Sequence, residues 1–434
     1  VPARAILRVS ACVLSVALSA CTAPPPEGDA FDAGVRELRT HYYGTSPVAL
    51  EPVVRRVRTE RSARCRQSPG ACGPEADYEA LASVTAALRD QHTNTYNPGQ
   101  YQRIRNALDA EETALPSYGL FVLSTGHRTA LVQDIVIDSP AEEAGLQPGD
   151  RLTNLNEGEF LPEDTNLTLP EVFDDPPVLT VRVERGRVGV AQTWTVTLEP
   201  RTLRRLKLPV LYTPPDAPPG VQVLRIPSFM EQRKVGPRVH ALVRQARRNG
   251  TRSLIVDLRG GRGGSAAECV TATGAFIGPY QVVNRTRRGG YSMEWTGRRT
   301  HVESDPVLSP SRWSLSRWPY VLALPARWEG RSVVLVDAAT ASCHEFMAHE
   351  MQRAGVPVLG EPTYGILSTV TVFRELPGGG AVQFSAYRFH DSSGQPGPER
   401  VTPNQILLND PLNFAATGED AVLHAAYARL THDP

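Results

Sequence analysis

The stretch Val333-Val334-Leu335-Val336-Asp337-Ala338-Ala339-Thr340-Ala341-Ser342-Cys343-His344-Glu345 constrains this chain more than any other. Its apolar, β-branched start reads as a buried strand, and from Ser342 to Ala354 the spacing of Phe346, Met347, Glu350 and Met351 is helical. Ser342 falls at the turn between them. A strand-to-helix turn is where a nucleophilic hydroxyl can stand beside the free amides of a helix N-terminus, which stabilise an oxyanion. The same residues fit a plainer role, because Ser342-x-x-Glu345 is a capping box in which the serine only satisfies an orphan amide. The local pattern leaves both readings open.

With 434 residues, 41% of them hydrophobic, the chain can bury a sizeable core, and two or three domains are expected. Basic and acidic residues balance at 46 each, so charge gives no argument for nucleic acid, and none is expected as a partner. Arg4 and Arg8 precede an apolar run from Val9 to Leu18, followed by Leu18-Ser19-Ala20-Cys21. This resembles a bacterial lipoprotein signal with the lipid on Cys21, the alternative being a secretory peptide cut after Ala20. Residues 1–21 are thus expected to be signal and lipobox, and 22–32, rich in proline, a tether. Either version places the chain outside the cytoplasm, with the lipid anchor at Cys21 as its membrane attachment in the cell envelope. Cysteines may pair there, and Cys65 and Cys72, flanking a Gln-Ser-Pro-Gly turn, are expected to do so. No Cys/His spacing suggests zinc, so neither a metal nor a cofactor is expected.

Residues 33–114 show helical spacing, with Val35, Leu38 and Tyr42, then Tyr78, Leu81, Val84 and Leu88. The run reaches His92, which by itself could be a mere helix-end partner. Residues 115–201 hold Tyr118-Gly119-Leu120-Phe121-Val122 and Ser139-Pro140-Ala141-Glu142-Glu143-Ala144-Gly145-Leu146-Gln147-Pro148-Gly149-Asp150, which together resemble a PDZ domain. Such a domain takes extended peptide ends by strand addition, and the resemblance puts the terminal carboxylate at Tyr118, Gly119 and Leu120. Further strands are expected at 178–183 and 193–198. From 202 to 434 strand and helix signals alternate: strands at 222–226 and 253–258 are separated by a helix from about 236 to 248. The second strand enters Asp257-Leu258-Arg259-Gly260-Gly261-Arg262-Gly263-Gly264 and then another helix. Neither a phosphate-binding Walker sequence nor a G-x-G-x-x-G is present, so an oxyanion hole is the better reading of these glycines.

Taken in order, Asp90-Gln91-His92-Thr93 with Tyr96, the PDZ-like segment, Leu224-Arg225-Ile226-Pro227-Ser228-Phe229, the glycine loop, Thr340-Ala341-Ser342-Cys343-His344-Glu345 and Gly360-Glu361-Pro362-Thr363-Tyr364-Gly365 resemble the C-terminal processing serine proteases and their tricorn-type relatives. The resemblance spans about residues 33 to 430. It implies an α/β (mixed α+β) fold: a helical N-terminal segment, a PDZ domain and a ClpP/crotonase-like α/β catalytic domain. It also implies a protein or peptide substrate and Ser342 as nucleophile, with the amides of Cys343 and of Gly263 or Gly264 as the oxyanion hole.

The pattern breaks at Ile366. The processing proteases carry their general-base lysine at this position, and an isoleucine takes no proton. Tricorn-type members use a histidine ahead of the PDZ, supported by a late glutamate, and those positions fall on His92 and Glu399. His344 and His390 are rival bases; i,i+2 spacing turns His344 away from Ser342. The resulting expectation is a lipid-anchored envelope endopeptidase with Ser342, His92 and Glu399 as catalytic residues. The alternative is an inactive pseudo-protease that binds peptide tails as an adaptor.

Overall fold

The Ser342 turn lies at the end of a central strand of a parallel sheet. The computed structural model describes residues 29–68, 72–108, 114–124, 129–155, 178–286, 289–303 and 320–432. Among them, one sheet has six strands in the order Gln405–Ile406, Val358–Gly360, Arg331–Val336, Ser253–Asp257, Val221–Arg225, Val210–Tyr212. All neighbours are parallel except the last pair. Its middle strands are continuous apolar runs because helices cover both faces. On one side the helices Val235–Arg248, Ala266–Ile277 and Cys343–Arg353 bury Leu254, Val256, Val334 and Val336. On the other, the helix Ala421–His432 packs Val422, Leu423 and Ala426 against Val223, Ile255, Val333 and Leu335. Parallel pairing sets the carboxyl ends of three adjacent strands side by side, and that is the edge where α/β sheets open crevices.

A second, antiparallel sheet of seven strands runs from Asn94–Tyr96 through Ala381–His390 to Tyr280–Arg285, Gly290–Trp295, Arg299–Glu303 and Tyr320–Val321, with Thr369–Glu375 also pairing to Ala381–His390. The N-terminal helices Ala30–His41, Leu50–Gln67 and Pro74–Ala87 lie against it. Phe31, Val35, Leu38 and Leu81 share one core with Leu376, Val382, Phe384 and Tyr387. The segment expected as a helical unit at 33–114 therefore does not close its own core. It is also not helical throughout: Arg89 turns the chain with φ +53°, and Asn94–Tyr96 pairs antiparallel with Ala381–Gln383. Three residues take β structure there because a strand distant in sequence offers partners, an influence that local spacing does not carry.

The first helix starts at Ala30, where Asp29 Oδ1 accepts the Phe31 N–H at 2.7 Å, an N-cap that ends the expected 22–32 tether early. The expected lipid site Cys21 and residues 22–28 lie outside the described residues. Cys65 and Cys72 form the disulfide expected of them, with Cα atoms 5.5 Å apart.

A third sheet holds five antiparallel strands in chain order: Leu120–Ser124, Ala130–Ile135, Arg151–Leu155, Leu179–Arg185 and Gln192–Leu198. With the short helix Pro140–Glu143 they enclose Tyr118, Leu120, Val132, Ala141, Leu152 and Val181. This unit docks on the parallel sheet through buried charges. Arg225 Nε donates to Asp134 Oδ1 at 3.0 Å and the same guanidinium lies 3.5 Å from Asp257. Arg259 pairs with Asp257 and Asp420, each at 2.8 Å. Removing one member of such a buried network typically costs about 3–5 kcal/mol, since it strands the others.

Candidate active site

Ser342 begins the helix Cys343–Arg353 with φ +55° and ψ −118°. An ordinary N-cap is extended, whereas this conformation is sparsely populated for a residue with a side chain and persists only where its surroundings impose it. A strained strand-to-helix turn of this kind is the backbone geometry that a nucleophile elbow uses. The glutamate arm of the capping box is formed as well, Glu345 Oε2 accepting the Ser342 N–H at 2.8 Å. The cap and the elbow are one structure.

Glu345 does more than cap. Its fully buried carboxylate also accepts from Thr363 Oγ1 at 2.6 Å, Gly365 N at 2.8 Å and Ile366 N at 3.1 Å. Burial pushes this carboxyl above its usual range against the opposing effect of those donors. It ties the elbow to the loop after the neighbouring strand, which carries Ile366 where the processing proteases have lysine. On the other flank, Asp337 Oδ1 accepts the Gly260 N–H at 2.9 Å and Ala341 N donates to Gly261 O at 2.8 Å, joining the elbow to the glycine loop. Gly264, at φ +145°, must be glycine: a Cβ there would meet the Phe229 carbonyl carbon at 2.1 Å.

Within that loop the two expected oxyanion donors differ. The Gly263 N–H donates to His344 Nδ1 at 3.0 Å, so Gly263 is not available to an oxyanion and that expectation is corrected. The cause is the His344 ring, whose Nε2 donates to Ile226 O at 3.1 Å and whose Nδ1 is left to accept. Burial holds His344 neutral, its pKa lowered to about 3. His344 is thus a strut beneath the glycine loop. The amides of Gly264 and Cys343 have no acceptor among the described residues.

His92 is buried, and burial lowers its pKa to about 4, opposed by the charge of Asp90. Asp90 Oδ1 accepts the His92 N–H at 3.0 Å and its Oδ2 accepts from Thr93 Oγ1 at 3.0 Å and Tyr42 OH at 2.9 Å, fixing the turn. The ring is held by Thr369 Oγ1, 2.9 Å from Nδ1. Thr369 lies three residues beyond Ile366, whose amide donates to Glu345. Among the described residues no hydrogen bond joins His92 to Ser342. Glu399, expected to orient His92, does not reach it: its side chain is 71% exposed and lies 3.7 Å from Arg400. Only its backbone takes part, the carbonyl accepting from Leu367 N at 3.0 Å. His390 packs at the end of its strand with Nδ1 3.2 Å from Arg388 O.

Thr369, 277 residues from His92, carried no signal in the sequence. Asp90 did carry one, since an aspartate two residues before His92 can close an Asx turn on its amide. At the expected peptide site, Tyr118 and Leu120 are wholly buried and the Gly119 N–H donates to Ser117 Oγ at 3.1 Å. A cavity of about 230 Å³ opens between the five-stranded unit and the parallel sheet, lined by Asp134, Arg225, Arg259 and Asp337, and it includes neither Ser342 nor His92. Among the described residues no three His, Cys, Asp or Glu side chains are grouped to hold a metal.

A strained serine turn beside a glycine loop at the carboxyl edge of a parallel sheet is an arrangement that serine hydrolases use. Residues 220–407 match the model of Peptidase family S41. The chain is 23% identical over 371 residues to the carboxyl-terminal-processing protease of Picosynechococcus sp., covering 82% of this chain and 79% of that one. It is 25% identical over 373 residues to the protein of the same name from Synechocystis sp., covering 82% and 77%. In fold it is similar to a solved Bacteroides fragilis structure assigned to the S41 proteases, with TM-score 0.54, 16% identity, and coverage of 94% of this chain and 98% of that one.

Proposed function

We propose that the chain is an envelope endopeptidase that cleaves proteins or peptides near their C-terminal tails, with Ser342 as nucleophile and His92 as base. The observation that carries this is the Ser342 backbone, strained at φ +55° beside two amides without acceptors among the described residues. Ser342 Oγ attacks the scissile carbonyl and His92 Nε2 takes its proton, which it then gives to the leaving amine. Water resolves the acyl-enzyme by the same route. Burial keeps His92 neutral and so able to accept. Donation of Nδ1–H to Thr369 Oγ1 leaves the lone pair on Nε2. The amides of Gly264 and Cys343 receive the oxyanion. Substrate tails add to the edge strand Leu120–Ser124 of the five-stranded unit, acting as a PDZ domain. A lipid on Cys21 holds the protein at the membrane.

A fluorophosphonate probe should label the protein, and Ser342→Ala should abolish both labelling and peptide cleavage. Two observations favour the adaptor reading: Ile366 stands where the processing proteases have their base, and among the described residues no bond joins Ser342 to His92. A folded protein that binds peptides yet takes no label would establish the adaptor and end the proposal.

A further inference from the structure

Beside the nucleophile stands Cys343, the first residue of the helix Cys343–Arg353, and against it lies Cys269, in the first turn of the helix Ala266–Ile277 that follows the glycine loop. Both thiols are buried and their Sγ atoms are 2.8 Å apart. Non-bonded atoms of sulfur's size pack at wider separations, and a disulfide of about 2.04 Å requires only a small further approach. Among the described residues no third His, Cys, Asp or Glu joins the pair as a metal site. The chain already contains one bonded pair, Cys65–Cys72.

We propose that Cys269 and Cys343 form a second disulfide, which fastens the N-terminal turn of the helix bearing the Cys343 amide to that of the helix that follows Gly264. The oxidant is a disulfide compound, either a small molecule or a protein dithiol in its oxidised form. Cys343, the more exposed of the two, attacks it and releases one thiol. Cys269 then displaces the second, and the two thiols lose two protons and two electrons in all. The bond closes a span of 74 residues, long enough to restrict the unfolded chain substantially. Its effect on catalysis rests on the assignment of Ser342. With the bond made, the Cys343 amide and Gly264 are cross-linked as well as hydrogen-bonded; with it broken, their spacing rests on the hydrogen bonds between the elbow and the glycine loop alone.

The test equilibrates the full chain across a series of oxidised-to-reduced glutathione ratios, followed by alkylation under denaturing conditions and peptide mapping. The expected result is a linked peptide pair containing Cys269 and Cys343, two hydrogens lighter than the dithiol, and a Tm about 5 °C above that of Cys269→Ala. Full alkylation of both thiols while Cys65–Cys72 stays intact would overturn the proposal. If Cys269→Ala does not fold, the titration of the unsubstituted protein still shows whether the two thiols are linked. In a Cys65→Ser/Cys72→Ser background, reduction should slow fluorophosphonate labelling several-fold; an unchanged rate in a cross-linked protein would overturn the catalytic part. A cross-linked protein that takes no label at all would count against Ser342 as nucleophile and for the bond.

Discussion

The two halves of the candidate site are built differently. The nucleophile half comes from three adjacent strands of one parallel sheet, and its parts are fastened by backbone hydrogen bonds and by Glu345, whose carboxylate gathers four donors. The proposed base half is one histidine from the N-terminal segment, its backbone fixed by the Asp90 turn and its ring held by a single threonine hydroxyl of the second sheet. An arrangement made of backbone tolerates side-chain change and fails when its central carboxylate is lost. One made of a single side-chain contact is sensitive to that side chain alone. Glu345 and Glu399 sharpen the contrast: the buried one organises the site, and the exposed one contributes only its carbonyl.

The largest effect should come from the base half. His92→Ala is expected to lower kcat/KM by about 10²–10⁴-fold while peptide binding and folding persist, the residue of activity coming from the oxyanion amides. In the unsubstituted enzyme the acid limb of kcat/KM should fall near pH 4 and not near the ordinary imidazole value, because burial lowers the His92 pKa to about 4. A group depressed in this way stabilises the fold fully above its unfolded pKa of about 6.5 and loses that contribution as pH falls toward the folded value. A pH–rate profile with its limb above 6, or near-normal turnover without His92, would remove this residue from the mechanism.

Glu345→Ala should break the nucleophile half. It leaves three amides and the Thr363 hydroxyl without their acceptor, at a cost of about 3 kcal/mol or more in stability. Denaturant melts would show it, and the remaining folded protein should label poorly at Ser342. A melt within error of the parent would show that the loops hold without the carboxylate.

The smallest effect is expected at Glu399. Because its carboxylate is exposed, Glu399→Gln should change kcat/KM less than about twofold and leave the acid limb in place. A clear downward shift of that limb would mean that the carboxylate approaches His92 during turnover, and the contrast between the two glutamates would narrow.

How much of this could be read beforehand follows the same division. The strand, turn and helix around Ser342, the glycine loop and the Cys65–Cys72 pair were legible, since each is encoded by neighbours in sequence through apolar period, turn residues or short loop closure. The helix expected at about 236–248 appears as Val235–Arg248, and the strand expected at 253–258 as Ser253–Asp257. Capping box and elbow looked like rivals in the sequence, yet one set of residues forms both.

The amino-acid sequence by itself determined the residues of the proposed nucleophile site: a serine at a strand-to-helix turn, glycines after the adjacent strand, and no lysine at Ile366. The tertiary structure alone decided which groups meet. It gave the Gly263 amide to His344, set Thr369 against a histidine 277 residues away, and left Glu399 in solvent. The physical reason is range. Backbone conformation and periodicity act over a few residues, whereas hydrogen-bond partners and burial depend on how sheets stack, and no local spacing records that.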